Sequence, residues 1–587
     1  MSINSIKILV VMIFLSFSLS MSAQVIFVQN ENQLKSAVNS ASPGDTIVVK
    51  EGNFDTDGSV TIRNNGTAEA PIVIMAETMN GTNLVNESYF DFRKCSYITI
   101  SGFTFSSTDV TAVKLQASHH IRITNNIFRI NETESVKWIL VGGIWDDPNA
   151  LSHDNKIDHN IFENKTQPGN FITIDGTPDP TYISSQRDTI EYNYFRNNNP
   201  RAENEKESIR VGWSELSASS GNTVIQYNLF EDCNGDPEVI SVKTCDNIVR
   251  YNTFIRCQGT VCLRHGNRSV VHGNFFLGEE VTGTGGIRLY GDDHLIFNNY
   301  FEGLTGTTWD APLTLTNGDY DGGTNYSKHW RIKRAKIVFN TLVNNTNGIE
   351  IGYSNNGKYS KPPQDVVISN NIISGNKNDL VKIISTPASM TWQNNIMFAT
   401  GTASLGTNFS QEEAKLVDPL LVWEENIYRI SDVSPAIDSA SGEWSYVVDD
   451  MDGQLRDGTP DIGADEFSTL EIVNKLLTPE DVGPVEKKPT SFSENSGVAS
   501  KSFLLRGNYP NPFNNSTKIA FVLNQTSNVT VKIYNILGKK IATLLEKKLT
   551  NGEYVVTWNA SGESSGIYFV KVLADEKFYT HRLIYLK

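Results

Sequence analysis

Short runs that alternate β-branched or aromatic residues with polar ones recur along the chain, each closed by an asparagine and then an apolar residue. Examples are IRIT at 121–124 before NNIF, TIEY at 189–192 opening YNYF, TVIQY at 223–227 leading into YNLF, and VVIS at 366–369 before NNII. Alternation with period two predicts strands, and the flanking Asn, Asp, Gly and Ser predict turns. The marker asparagines are Asn126, Asn160, Asn193, Asn228, Asn252, Asn274, Asn299, Asn340, Asn371 and Asn395, separated by 34, 33, 35, 24, 22, 25, 41, 31 and 24 residues. A floor of 22 to 25 residues with longer intervals interspersed predicts a solenoid whose coils carry loops of variable length. An antiparallel sandwich would instead show turn signals about every 8–12 residues and no long common period. The expected architecture is all-β: a right-handed, single-stranded parallel β-helix. Asparagines at one coil position are expected to bond to each other and to exposed backbone along the stack. Phe230, Phe254 and Phe276 are expected as rungs of the core. One helical pattern stands out, ENQLKSAVNSA at 31–41, followed by the turn Pro43-Gly44-Asp45.

The chain of 587 residues has room for several domains. Residues 1–23 read as a secretory signal peptide, with Lys7 ahead of an apolar run and small residues near 20–23. No later segment approaches the 18 apolar residues of a membrane span, so export without a retained span is expected. The repeat occupies 24–467 and ends in SPAIDSA and MDGQLRDGTPDIGADEF. Residues 468–500, rich in Pro, Ser, Glu and Lys, read as a linker, and 501–587 as a small β-sandwich. Five cysteines are too few for a disulfide framework; Cys233 and Cys257 each follow a marker by five residues and are expected to stack as buried small hydrophobes.

A formal charge of −16 argues against nucleic acid and anionic membrane as partners. The segment 240–290 departs from it, with Lys243, Arg250, Arg256, Arg264, Arg268 and Arg288 against only Asp246, Glu279 and Glu280. Measured back from the next marker, Lys243, Arg264 and Arg288 stand at 9, 10 and 11 residues, which predicts nearly equivalent places on three successive coils. Cations stacked about 4.8 Å apart repel unless an anion lies between them. Asp236 and Glu238, just before Lys243, alternate by two and should share a face. Their oxygens are hard ligands of the kind Ca²⁺ takes. A uronic acid meets both demands: its carboxylate can bind the metal while its ring lies against Lys and Arg. It also suggests a reaction. Once its carboxylate is neutralised, the C5 proton can be taken by a base while an acid protonates the departing glycosidic oxygen, which is β-elimination. Lysine acts as a base only when neutral, a state that nearby positive charge favours.

These segments resemble polysaccharide lyase family 6, the alginate lyase and chondroitinase B family. The resemblance spans most of 24–467, from LKSAVNSASPGDTIVVKEGNF (35–54) through ESIRVG (207–212), EVISVK (238–243), CQGTVCLRHGNRSVVHGNFFLG (257–278) and GGIRLYGDDHLIFNNYF (285–301) to SPAID. It implies Lys243 as Brønsted base and Arg264 as Brønsted acid. It also implies Asn204, Asp236 and Glu238 as Ca²⁺ ligands, His265 and Arg288 as substrate contacts, and an anionic polysaccharide, alginate, as substrate. The family's usual Glu is here Asp236, one methylene shorter. His265, next to Arg264, should face the other way in a regular strand, and Arg210 either contacts substrate or braces the metal loop. Asp292-Asp293-His294 is expected to be a solvated turn, and Glu350 is left without a role. Residues 501–587 resemble the C-terminal sorting domain of the type IX secretion system through Tyr509-Pro510-Asn511-Pro512-Phe513, Tyr534-Asn535 with Gly538, and Gly566-Ile567-Tyr568. That resemblance implies the secretion machinery as a partner and release to the surface or medium. Competing functions are a dermatan or chondroitin sulfate lyase, a β-helical glycoside hydrolase, which would need paired carboxylates instead, and a surface adhesin.

Overall fold

A computed structural model describes residues 23–485 and 503–585, apart from 145, 146, 148, 457, 510–512, 524, 536–538, 565, 575 and 576. The signal peptide through residue 22, the second half of the expected linker and the centre of the Tyr-Pro-Asn-Pro-Phe motif lie outside these residues. The chain divides into two compact units, 1–487 and 488–587. Among the described residues no helix is long and apolar enough to cross a membrane.

The first unit is a parallel β-helix of three sheets, with 14, 14 and 12 strands. One coil runs Val224–Gln226 in the first sheet, Leu229–Cys233 in the second and Glu238–Val242 in the third; the next repeats the order with Ile248–Arg250, Thr253–Ile255 and Thr260–Leu263. Each strand pairs in parallel with its counterpart one coil away, so the register fixes which residues share a rung.

The marker asparagines sit at the corner between the first and second sheets, fully buried. Each side chain works in three directions. Asn252 Nδ2 donates to Asn274 Oδ1 at 3.0 Å and to the carbonyls of Ile225 and Arg250 at 2.9 Å. Its Oδ1 accepts from the backbone N and the Nδ2 of Asn228, both at 3.0 Å. The corner requires this help, because the residue before each marker has a left-handed backbone even when bulky, as at Tyr192, Tyr227 and Tyr251 (φ 54°, 53° and 54°). Such conformations cost on the order of 1–2 kcal/mol per L-residue, and the amide ladder together with ring stacking between those tyrosines offsets the cost. Their ring centroids are 5.1 and 5.2 Å apart.

Inside the barrel Phe230, Phe254 and Phe276 are the expected rungs: successive ring centroids are 4.7 Å apart and nearly parallel. All five cysteines are buried and free. The predicted helix forms at Glu31–Ser40, capped by the Asn30 side chain, which accepts from Gln33 N at 3.1 Å, and it buries Leu34, Ala37 and Val38.

The composition at 468 onward reads as a linker, but residues up to 485 do not hang free. After the last coil the chain turns back along the second sheet. Gly463 N reaches Asn370 O and Ala464 N reaches Thr341 Oγ1, both at 2.9 Å. Further along, Leu477 N meets Thr253 Oγ1 at 3.0 Å, Gly483 N meets Tyr192 O, and Val485 N meets Asn125 Oδ1, both at 2.9 Å. Leu477 and Val482 cover the outward-facing Tyr194 and Leu229. A few apolar residues among many polar ones were enough to dock this strap, because the coils already offered unpaired polar groups on their outer face.

The second unit has an antiparallel three-stranded sheet and an antiparallel four-stranded sheet. They share a core that includes Phe513, Ile519, Val531, Trp558, Tyr568 and Tyr585.

Candidate active site

The third sheet carries the site, and one irregularity of register builds it. Glu238 pairs with Thr260, but Ile240 already pairs with Val261, so Val239 is an extra residue. Val239 and Ile240 both turn into the core. In a regular strand Glu238 and Lys243, five positions apart, would face opposite sides. The bulge puts Glu238 on the same face as Ser241, whose hydroxyl donates to Glu238 Oε2. Bulges commonly re-aim side chains beside active sites.

Beyond Val242, Leu263 and Leu289, which share a rung, the ladder runs one residue further. Lys243 N donates to Val211 O, Arg264 N to Val242 O and Tyr290 N to Leu263 O, at 2.7, 2.8 and 3.0 Å. Lys243 and Arg264 therefore leave the same edge of the sheet on neighbouring coils. Arg288 does not join them. It sits on the rung of Ser241 and Cys262, two residues earlier, because the marker distance drifts as the turn between third and first sheets changes length. Tyr290 takes the place equivalent to Arg264, with the Arg264 guanidinium 5.7 Å from its ring centroid.

Two carboxylates organise these cations. Glu238 Oε1 accepts from Arg288 Nη2 at 2.6 Å and lies 3.9 Å from Arg264 Nε. Burial opposes its charge, but Arg288, then Lys243 and Arg264, and the Ser241 hydroxyl bring the group down to about 2. Glu207, in ESIRVG, lies 3.7 Å from Lys243 Nζ through Oε1, while its Oε2 accepts from Asn170 at 2.7 Å. Asp236 is the opposite case: burial, then Glu207 and Glu238, push its carboxyl up to about 8. Three acids thus converge with more negative charge than their surroundings compensate, and the donors are hard oxygens of the kind Ca²⁺ accepts. Asn204 stands three residues earlier in an exposed bend. Glu207 faces Asp236 where the resemblance implied an amide. The insertion-prone stretch RAENEKESIR hid this, although ESIRVG itself was a visible motif.

His265 is buried, and its Nε2 lies 3.3 Å from Arg264 Nη1 and 3.5 Å from Ser214 Oγ. The strand ends at Leu263, so the alternation that would have turned His265 away from Arg264 no longer applies. Burial, then Arg264 and Lys243, hold its imidazole well below the usual range, hence neutral. Arg288 is almost fully buried, with Nε donating to Cys262 Sγ at 3.1 Å and its guanidinium 5.2 Å from the Trp309 ring centroid. Glu350 shares a rung with Thr314 and accepts from Thr308 N at 3.0 Å, anchoring the short helix Thr308–Asp310 that carries Trp309. Arg210 Nη2 donates to Asp175 at 3.0 Å.

Sequence reasoning missed His329. It lies in the loop that lengthens the 41-residue interval between Asn299 and Asn340, and packs 4.5 Å from Tyr359 and 4.8 Å from Tyr290 by ring centroid. Burial, then Arg264 and Arg288, lower it to about 2. The length of that interval was the one signal available. His294, expected to be solvated, is instead wholly buried between Tyr290 O (2.8 Å) and Ser269 N (3.2 Å), while Asp292 and Asp293 pair with Arg334. Burial lowers His294 to about 4 from a reference of 6.5. The unfolded chain therefore binds the proton first, and stability should be complete above about 6.5 and fall as the pH drops toward about 4. Thermal midpoints across that range should show this slope, and it should be shallower in His294→Gln.

A cleft of about 580 Å³ extends the site toward earlier coils, lined among others by Tyr89, Lys114, Lys137, Asn170 and Arg210. Elsewhere, the buried Asp450, Asp452 and Asp465 lie close enough together to hold a metal ion, and Arg429 pairs with Asp452 and Asp465.

A family model described as chondroitinase B matches residues 28–431, and one described as a secretion system C-terminal sorting domain matches 508–586. The sorting domain places the protein at the cell surface or in the medium, with the secretion machinery as its partner. No curated protein matches. Among solved structures, the family 6 alginate lyase AlyGC is 22% identical with a TM-score of 0.62, over 84% of this chain and 62% of that one. The chain thus spans less than two thirds of AlyGC. A mannuronic acid specific family 6 lyase from human gut microbiota is 23% identical, with a TM-score of 0.58 over 67% of this chain and 91% of its own. The alginate lyase AlyF-OU02, solved with G6, is 21% identical, with a TM-score of 0.58 over 79% and 95%.

Proposed function

Since the chain belongs to the chondroitinase B family, we propose that it is a polysaccharide lyase that cleaves 1,4-linked uronate chains, alginate in particular, by β-elimination. The observation that carries this reading is the departure of Lys243 and Arg264 from one sheet edge on adjacent coils, each beside a buried carboxylate. Lys243 takes the C5 proton. Glu207 holds its ammonium end in place without a tight ion pair, at 3.7 Å. Arg264, fixed between Glu238 and the face of Tyr290, donates to the glycosidic oxygen as the C4–O bond breaks. Neutral His265 lies against Arg264 and can donate to or accept from a sugar hydroxyl without adding charge. Arg288 serves by holding Glu238.

Glu207, Asp236 and Glu238 would hold Ca²⁺, which when bound neutralises the substrate carboxylate and so acidifies C5–H. The raised carboxyl of Asp236 supports this set, because a cation there would relieve the crowding of acids. Alginate carries a carboxylate on every sugar, and the cleft offers Lys114, Lys137 and Arg210 on successive coils before the catalytic pair. The likeness to solved alginate lyases favours the same substrate.

The test is a panel of polymannuronate, polyguluronate, dermatan sulfate and polygalacturonate, read by the near-ultraviolet absorbance of the C4–C5 double bond. Absorbance with alginate polymers supports the reading, and reducing ends without absorbance would replace it with hydrolysis. Exhaustive chelation is expected to lower the rate at least tenfold, with Ca²⁺ restoring it and Asp236→Asn losing that response. Undiminished turnover in chelated enzyme would exclude metal assistance.

A further inference from the structure

Three of the nine histidines meet far from the catalytic pair, on two consecutive coils at the start of the first sheet. His119 and His153 face each other across a parallel bridge, and their rings stack with centroids 4.6 Å apart and planes 6° from parallel. His120 follows His119 directly. In a regular strand the two rings would point to opposite faces, but His120 has a left-handed backbone (φ 55°), which brings its Nδ1 to 2.8 Å from His119 Nδ1. A ring nitrogen from each of the three lies within 4.8 Å of the others. We propose that His119, His120 and His153 form a binding site for a borderline divalent transition metal such as Zn²⁺, which pins two consecutive coils together.

The surroundings fit this chemistry. Imidazole suits Zn²⁺, Ni²⁺ and Cu²⁺ and not Ca²⁺, so the site does not compete for the ion expected among the carboxylates. His153 Nδ1 is bonded to Asp154 Oδ2 at 2.6 Å, and Asp154 is clamped by Arg187 through two bonds of 2.9 and 2.8 Å. A carboxylate on one ring nitrogen orients the other toward a metal. His120 is steadied from the far side by Tyr97, stacked at 4.5 Å. All three rings are half-buried, which leaves an approach for the ion and a fourth position for water. Burial and the neighbouring rings hold His119 and His120 below the usual imidazole range, keeping both in the neutral form that ligates.

The test uses full-length, tag-free protein stripped by chelation and titrated calorimetrically with Zn²⁺ in millimolar Ca²⁺, with Co²⁺ visible spectra as a second readout. One equivalent with micromolar or tighter affinity is expected, with a tetrahedral or five-coordinate Co²⁺ spectrum. His153→Gln should weaken binding at least about 100-fold, and Asp154→Asn, which removes no ligand, about 10–100-fold. His120→Phe, which keeps the stack on Tyr97, guards against misfolding as the cause. Zn²⁺ binding that is absent in the wild type, or equal in wild type and His153→Gln, would overturn the proposal.

Discussion

Replacing Lys243 with methionine is expected to abolish the near-ultraviolet product signal on alginate while leaving the fold intact. Proton abstraction by a positioned side chain contributes roughly 10²–10⁴-fold, so turnover should fall by about 10³-fold or more. Little structural cost accompanies it. The side chain is partly exposed, and its one close charged partner is Glu207 at 3.7 Å. Methionine keeps the length and apolar stem, so a circular dichroism spectrum and melting midpoint close to wild type should accompany the loss. Arg264→Ala should produce a comparable loss, now also removing the contact with Tyr290. Arg288→Ala should behave differently: with Glu238 left buried and unpaired, stability and activity should fall together. Wild-type turnover in Lys243→Met would remove the base from the mechanism.

The largest effect on stability is expected from Asn252→Leu. The change strands the backbone N–H of Asn228 and the amide groups of Asn228 and Asn274, and leaves the carbonyls of Ile225 and Arg250 without their side-chain donor. Each buried group left unsatisfied costs about 1–3 kcal/mol, so a total on the order of 4 kcal/mol is expected. Tyr251, held in a left-handed conformation beside it, loses part of what keeps it there. Denaturant titration and hydrogen exchange at the amides of residues 228–252 should both report the loss. An unchanged midpoint would mean that coil stacking alone carries the corner. Asn252→Asp supplies the acceptor without the donors and should fall between the two.

Much of this molecule could be read from the sequence because a solenoid converts spacing into position. A conserved corner at each coil made the marker asparagines a ruler, and that ruler located the strands, the phenylalanine column and the pairing of Lys243 with Arg264. It failed where the chain between ruler and side chain changed length. Arg288 slipped by two residues for that reason, and Asn204 stood in for Glu207. Alternation placed Asp236 with Glu238 but could not reveal that Val239 is supernumerary, because a bulge is a property of two strands and not of one. His329 lay in an insertion that spacing marks as long without giving its path. The strap at 468–485 was missed because its composition is that of a free segment, and only the receiving surface shows otherwise.

That strap bears on the order in which the molecule can complete itself. Its contacts run from Asn370 and Thr341 back through Thr253 and Tyr192 to Asn125, opposite to the direction in which the coils are wound. The earliest coils are thus the last to be fastened, and only once residues near 485 have become available. A chain threaded outward from its amino end would cross the envelope with its first turns unlatched and draw them shut from the far end afterward.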